Sequence, residues 1–158
     1  MTNSIITDII RSRKSIFPAT YIDKAIDKAI IEEILENANH APTHKYTEPW
    51  RFKVFRGEAR KELSEYLGET YQKVIPPEKY SPKKHAKTKK KPLQCACIIA
   101  ICMQRDPQEA IPEWEEIAAV ACAVQNMWLT CSVYDIGSYW SSPKAMIESE
   151  GFLNLPTG

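Results

Sequence analysis

Between Ile117 and Val133 the chain reads Ile-Ala-Ala-Val-Ala-Cys-Ala-Val-Gln-Asn-Met-Trp-Leu-Thr-Cys-Ser-Val, with neither glycine nor proline. Such a stretch forms a helix, and one that is apolar almost all round must be buried on every side. Pro112 suits the first turn, and Glu113, Glu115 and Glu116 suit the positive end of the helix dipole. Gly137 is expected to follow the C-terminal turn. A chain of 158 residues can bury much of its own surface. It has too little material to enclose such a helix completely, so a second subunit is expected over one face.

The rest of the chain has room for one α+β domain with no interior linker. Ile5, Ile6, Ile9 and Ile10 predict a short amphipathic helix over 3–12, and Phe17-Pro18 a stop. Ile30, Ile31, Ile34, Leu35 and Ala38 predict a second helix with Asp27 as N-cap. Pro42 should end it near His40. The stretch from His40 to Phe52 is polar and holds two prolines, which suits a shaped loop rather than a plain connection. Trp50 to Phe55 alternates as a strand ended by Gly57, with Phe52 and Val54 on one face and Arg51, Lys53 and Phe55 on the other. A helix is expected from Glu58 to Val74, broken by Pro76-Pro77. Cys95 to Met103 is a continuous apolar run, expected as a buried strand. A last helix is expected over 143–151.

Net charge is +1, with 44% hydrophobic and 26% charged residues, so nothing global pulls the chain toward nucleic acid or anionic lipid. No apolar run approaches the roughly 20 residues of a bilayer span, so no membrane partner is expected. The five cysteines lie in apolar segments, which points to reduced thiols and a cytoplasmic protein. Lys83 to Lys91 carries six lysines without interleaved aromatics, the pattern of a solvated helix face. Arg11-Ser-Arg-Lys-Ser15 packs three cations and two hydroxyls into five residues, which suits either an anion site or an ordinary basic helix end. No metal-ligand spacing, catalytic triad or glycine-rich phosphate loop is found. The residues by themselves do not name a reaction.

Four segments, in order, resemble the nitroreductase family of FMN-dependent oxidoreductases, in its short single-domain form. Ser12-Arg-Lys-Ser-Ile resembles the family's phosphate motif. Asn39-His-Ala-Pro-Thr-His-Lys-Tyr-Thr-Glu-Pro-Trp-Arg-Phe resembles its Ala-Pro-Ser…Gln-Pro-Trp-Arg-Phe signature. Trp114 to Asn126 resembles its central helix, and Ile136-Gly-Ser-Tyr-Trp its Gly-Leu-Gly-Ser-x-Trp element.

The resemblance implies a nitroreductase-like α+β fold, with a central mixed sheet surrounded by helices in an intertwined homodimer. It implies FMN at the dimer interface and NAD(P)H as electron donor. The second substrate would be a nitroaromatic, quinone or similar small-molecule acceptor, reduced by a ping-pong mechanism. Arg13, Lys14 and Ser15 would hold the phosphate and ribityl chain, and Tyr139, Trp140 and Ser141 would lie along the cofactor. Asn39 and Thr43 would approach from the other subunit. No side chain would act as a nucleophile. A single domain over 1–158 is expected, lacking the C-terminal strand and tail of the family. Tyr46, Glu48 and Phe17 depart from the family pattern, and Lys45 is the nearby cation that could stabilise charge on reduced flavin. Reductive dehalogenation or flavin degradation on the same fold stays open. So does a non-enzymatic dimer that uses Lys83–Lys91 to contact an acidic partner.

Overall fold

The protein, as a computed structural model, is described for residues 4–147 and 152–153. The N-terminal isoleucines form α1 (Ile5–Ser12), and the Ile31/Ile34/Ala38 stripe forms α2 (Lys28–Asn39), with Asp27 at its N-cap position. The chain then crosses the polar loop to β1 (Trp50–Arg56). Gly57 ends that strand with φ of 51°, a left-handed conformation that glycine adopts without steric cost. Next come α3 (Ala59–Val74) and the lysine-rich α4 (Pro82–Lys90). They are followed by β2 (Cys97–Met103), α5 (Glu113–Val133) and α6 (Lys144–Ile147). Most of the rest of the last predicted helix lies outside the described residues.

β1 and β2 pair antiparallel, from Trp50 opposite Met103 to Arg56 opposite Cys97. Among the described residues the sheet is this one pair, so a mixed strand order is not reached within them. Alternation sends Trp50, Phe52, Ile99, Ile101 and Met103 toward α2 and α5, where Ile34, Ala38, Ala123 and Met127 complete a core. Phe55, Ile98 and Ala100 pack the other way on Leu63 and Leu67 of α3. Both faces of β2 are therefore covered, which is why its sequence is a continuous apolar run.

β2 is nevertheless only half-buried along its whole length, not fully buried as expected. A cavity of about 1220 Å³ touches every residue from Ile98 to Met103. Successive strand residues point to opposite faces, so a space that touches all six runs along the edge of β2 that lacks a strand partner among the described residues.

α5 leaves one face open within the single chain, the face for which a second subunit is expected. Ala119, Val120, Ala123, Val124 and Met127 are buried, but Trp114 is 67% exposed and Ile117 54%. Among the described residues α1, α2 and the sheet pack on the helix but leave the side of Trp114, Ile117 and Ala118 open. Ile5 and Ile6 of α1 are exposed as well. By length and average composition α5 would satisfy a bilayer span. Its buried face and the ion-paired Glu116 are instead those of a core helix packed on α2 and the sheet.

Candidate functional site

Two regions collect the residues singled out in the sequence. The first lies at the C-terminal end of α5. Asp135, with φ of 53°, takes the left-handed position after the helix, and Ile136 N–H donates to Cys131 O at 2.8 Å. The cap is therefore Asp135 and not Gly137. Gly137 serves close approach: a Cβ there would lie 2.9 Å from Ile16 Cγ2 and 3.1 Å from a Tyr21 ring carbon. That approach lets Ile16 N–H donate to Ser138 O at 3.0 Å and sets the Phe17 and Tyr139 rings 5.3 Å apart. The Arg13–Ser15 segment and the Tyr139–Ser141 segment are thus held side by side.

Within this corner the Arg13 guanidinium lies 4.4 Å from the Trp128 ring centroid. Arg13, Lys14 and Ser15 donate no side-chain hydrogen bond and form no ion pair to any described residue; Lys14 and Ser15 are exposed. Trp128 Nε1–H is buried without a partner. Ser138 Oγ is also buried, with only the Cys131 thiol, a weak acceptor, beside it. Unpaired buried donors are uncommon in folded proteins. Cationic donors that meet no described acceptor suit an acceptor-rich anion. Trp128 was not singled out from sequence; its one signal was a large aromatic late in a helix built mostly of small residues.

The second region surrounds Glu48. Asn39 Oδ1 accepts from Trp50 Nε1–H at 3.0 Å, and Thr43 Oγ1 accepts from Glu48 N–H at 3.1 Å. Asn39, Glu48, Trp50 and Arg51 line a shallow cleft separate from the large cavity. The loop is tied to the start of α5, where His44 Nδ1 and Glu115 Oε2 are 2.7 Å apart and Lys45 Nζ donates to Ala110 O at 2.9 Å. Glu116 anchors the same end: fully buried, it pairs with Arg105 and accepts from Asp106 N–H at 2.9 Å. Lys45, Tyr46 and Glu48 all have positive φ, between 40° and 56°. Each such non-glycine residue costs on the order of 1–3 kcal/mol and persists only where its surroundings over-determine it. Tyr46 is 89% exposed.

Within one chain the two regions do not meet. Glu115 and Trp128 are separated by about 20 Å along α5, at a rise of about 1.5 Å per residue. The structure brings Arg13, Lys14 and Ser15 to Tyr139, Trp140 and Ser141, and leaves Asn39 and Thr43 with Glu48.

All five cysteines are free thiols. Burial raises the pKa of Cys95, Cys102 and Cys131 and pushes Cys97 up to about 11, so these four are not poised as thiolates. The lysines of α4 are a solvated face braced on α3, with Lys89 paired to Glu65 at 2.6 Å.

Comparison with known proteins extends over nearly the whole chain. The model of the Nitroreductase family matches residues 10–157. A Bacillus subtilis protein named "Putative NAD(P)H nitroreductase YfhC" is 29% identical over 148 residues, which is 94% of this chain and 74% of that protein. The crystal structure of a nitroreductase-like family protein from Bacillus cereus is 30% identical. It superposes with a TM-score of 0.74 over 92% of this chain and 73% of its own. A Bacteroides fragilis nitroreductase with bound FMN, at 19% identity and a TM-score of 0.59, shares the fold over 83% of this chain and 66% of its own. On this match, which spans both regions, the chain belongs to the nitroreductase family.

Proposed function

We propose that this protein is an FMN-dependent oxidoreductase that draws electrons from NAD(P)H and delivers them to a nitroaromatic, quinone or similar conjugated acceptor. The observation that carries the reading is the Arg13 corner. A guanidinium whose donors meet no described residue, with an exposed ammonium and hydroxyl beside it, fits the oxygen-rich phosphate end of FMN. Bound FMN supplies two-electron redox chemistry that no described side chain provides. Arg13, Lys14 and Ser15 hold its phosphate and ribityl chain, while Tyr139, Trp140 and Ser141 flank it.

The separation of the two regions supports a homodimer. The exposed stripe of Trp114, Ile117 and Ala118 on α5 needs an apolar cover, and a second copy supplies one. An antiparallel copy lays the start of one α5 beside the end of the other, which carries the partner subunit's Asn39 and Thr43 toward the Arg13 corner. Donor and acceptor then use one open face in turn, and the kinetics are ping-pong. Relatives named or solved as NAD(P)H- and FMN-using nitroreductases support the same reading.

The test is the absorbance spectrum of the purified protein with and without added FMN. Flavin bands that bleach anaerobically on adding NADH or NADPH are expected, with a dimer's mass in solution. Arg13→Ala should weaken FMN binding by roughly 1–3 kcal/mol, the range for a charge-assisted hydrogen bond. A colourless protein that ignores added FMN overturns the proposal.

A further inference from the structure

We infer that Trp128 is a positioning residue for anion recognition: it stacks on the Arg13 guanidinium and holds it edge-on to the phosphate of the cofactor. The inference rests on the FMN reading above and goes beyond it by naming what presets Arg13.

Arg13 is the first residue beyond α1, in extended backbone with φ of −58° and ψ of 127°. Nothing in a helix wall fixes its side chain there, and an arginine left free gives up rotamer entropy on binding. No carboxylate pins it, because Arg13 takes part in no ion pair among the described residues. Among the described residues its guanidinium has one partner, the Trp128 face, at 4.4 Å from the centroid. Stacking uses the plane of the guanidinium and leaves its five in-plane N–H donors open. A carboxylate partner would orient the side chain equally well, but it would occupy those donors and repel a phosphate. An indole therefore does what an acid cannot. Trp128 is carried on α5, and the Gly137 contact and the Ile16–Ser138 hydrogen bond tie the segment that follows Arg13 to the chain that leaves α5.

The test compares FMN with riboflavin, which lacks the phosphate, by fluorescence titration of the apoprotein. Trp128→Met keeps an apolar side chain without a π face. It should weaken FMN about 5- to 30-fold, the range of a partly buried cation–π contact, and leave riboflavin within about twofold. Trp128→Phe keeps the face and should stay within about threefold of the parent for both ligands. Trp128→Met combined with Arg13→Ala should bind FMN no more weakly than Arg13→Ala alone. Equal losses for FMN and riboflavin in Trp128→Met would mean simple packing and overturn the inference. So would unchanged FMN affinity in that variant while Arg13→Ala binds weakly, which leaves the phosphate assignment standing. Full FMN affinity in Arg13→Ala would instead sink that assignment, and this inference with it. If Trp128→Met does not fold, Arg13→Lys decides. An ammonium keeps the charge but has no plane to stack, so FMN affinity should fall while riboflavin affinity holds. A lysine as good as arginine refutes the stacking role.

Discussion

Gly137→Ala isolates the contact on which the Arg13 corner depends. The added Cβ would sit 2.9 Å from Ile16 Cγ2, 3.1 Å from Ile16 Cβ and 3.1 Å from Tyr21 Cε1. Carbon atoms pack best at about 3.5–4.0 Å, so something must move by about half an ångström or more. Neither neighbour can give easily. Ile16 is tied on both sides, its N–H donating to Ser138 O at 3.0 Å and its O accepting from Tyr21 Oη–H at 2.8 Å. Overpacking of this kind costs about 1–3 kcal/mol, and the lower unfolded-state entropy of alanine returns about 0.4–1 kcal/mol. The net expectation is a loss of about 1–2 kcal/mol, with weaker FMN binding because the 13–16 and 138–141 segments are pushed apart. Gly68→Ala is the control. There the Cβ meets Lys89 Cγ at 2.7 Å, Lys89 Cδ at 2.8 Å and His85 Nε2 at 3.2 Å. The lysine stem can swing aside, at the expense of a partly exposed pair with Glu65 that contributes about 1 kcal/mol or less. Alanine regains about 1 kcal/mol in the helix, so the net change is close to zero. Urea unfolding followed by circular dichroism, together with an FMN titration, reads both variants. A Gly137→Ala protein as stable and as tight-binding as the parent would refute the close-approach argument. Equal damage in Gly68→Ala would refute the distinction between rigid and flexible neighbours.

Glu116→Gln keeps the side-chain shape but removes the charge that Arg105 and Asp106 N–H share. It should cost about 1–3 kcal/mol in urea unfolding, and an unchanged midpoint would contradict a structural role for the pair. Trp50→Phe removes the donor to Asn39 Oδ1 and should cost about 1 kcal/mol; full stability would show that this bond is replaceable. Alkaline pH should destabilise the protein. Burial pushes Tyr21 up to about 12 and Cys97 up to about 11. From about pH 9 upward the unfolded chain gives up those protons while the folded one keeps them, so stability falls as pH rises toward about 12. Urea unfolding at stepped pH should show that fall, and Tyr21→Phe should flatten its upper part; an identical slope in the variant would assign the loss elsewhere.

What the sequence made legible follows from periodicity. The stripe of α2, the alternation of β1 and the apolar run of β2 each name one packing surface, and each element forms at about its predicted place. The loop from His40 to Phe52 resisted that kind of reading. Lys45, Tyr46 and Glu48 take left-handed backbone without being glycine or asparagine, so no turn signature announces them. Their conformation is imposed from outside, by Glu115, Ala110 and the Thr43 hydroxyl. Gly137 misled for the opposite reason. Glycine after a helix suggests a cap, but Asp135 fills that position, and the demand for glycine comes from Ile16, far away in sequence.

The long helix carries the deeper reason why two chains could not be read from one. A helix apolar all round has no moment to say which face turns inward. The structure supplies the direction. Ala119, Val120, Ala123 and Met127 face the core. Trp114 and Ile117 stand on the open side. An exposed tryptophan and isoleucine are the reverse of what a solvent-facing stripe needs. It is the arrangement of a helix packed twice, once against its own α2 and once against something else. That open surface lies at the start of α5, at the Glu115 end. If a second copy covers it, as proposed above, that copy contributes the half of the cofactor site that each chain leaves at the wrong end, and dimer formation and cofactor binding become one event. Weakening the stripe with Ile117→Glu should lower FMN affinity even though that residue is far along α5 from Arg13. Light scattering and flavin titration on that variant should shift together; a monomer that still binds FMN tightly would break the link between the two.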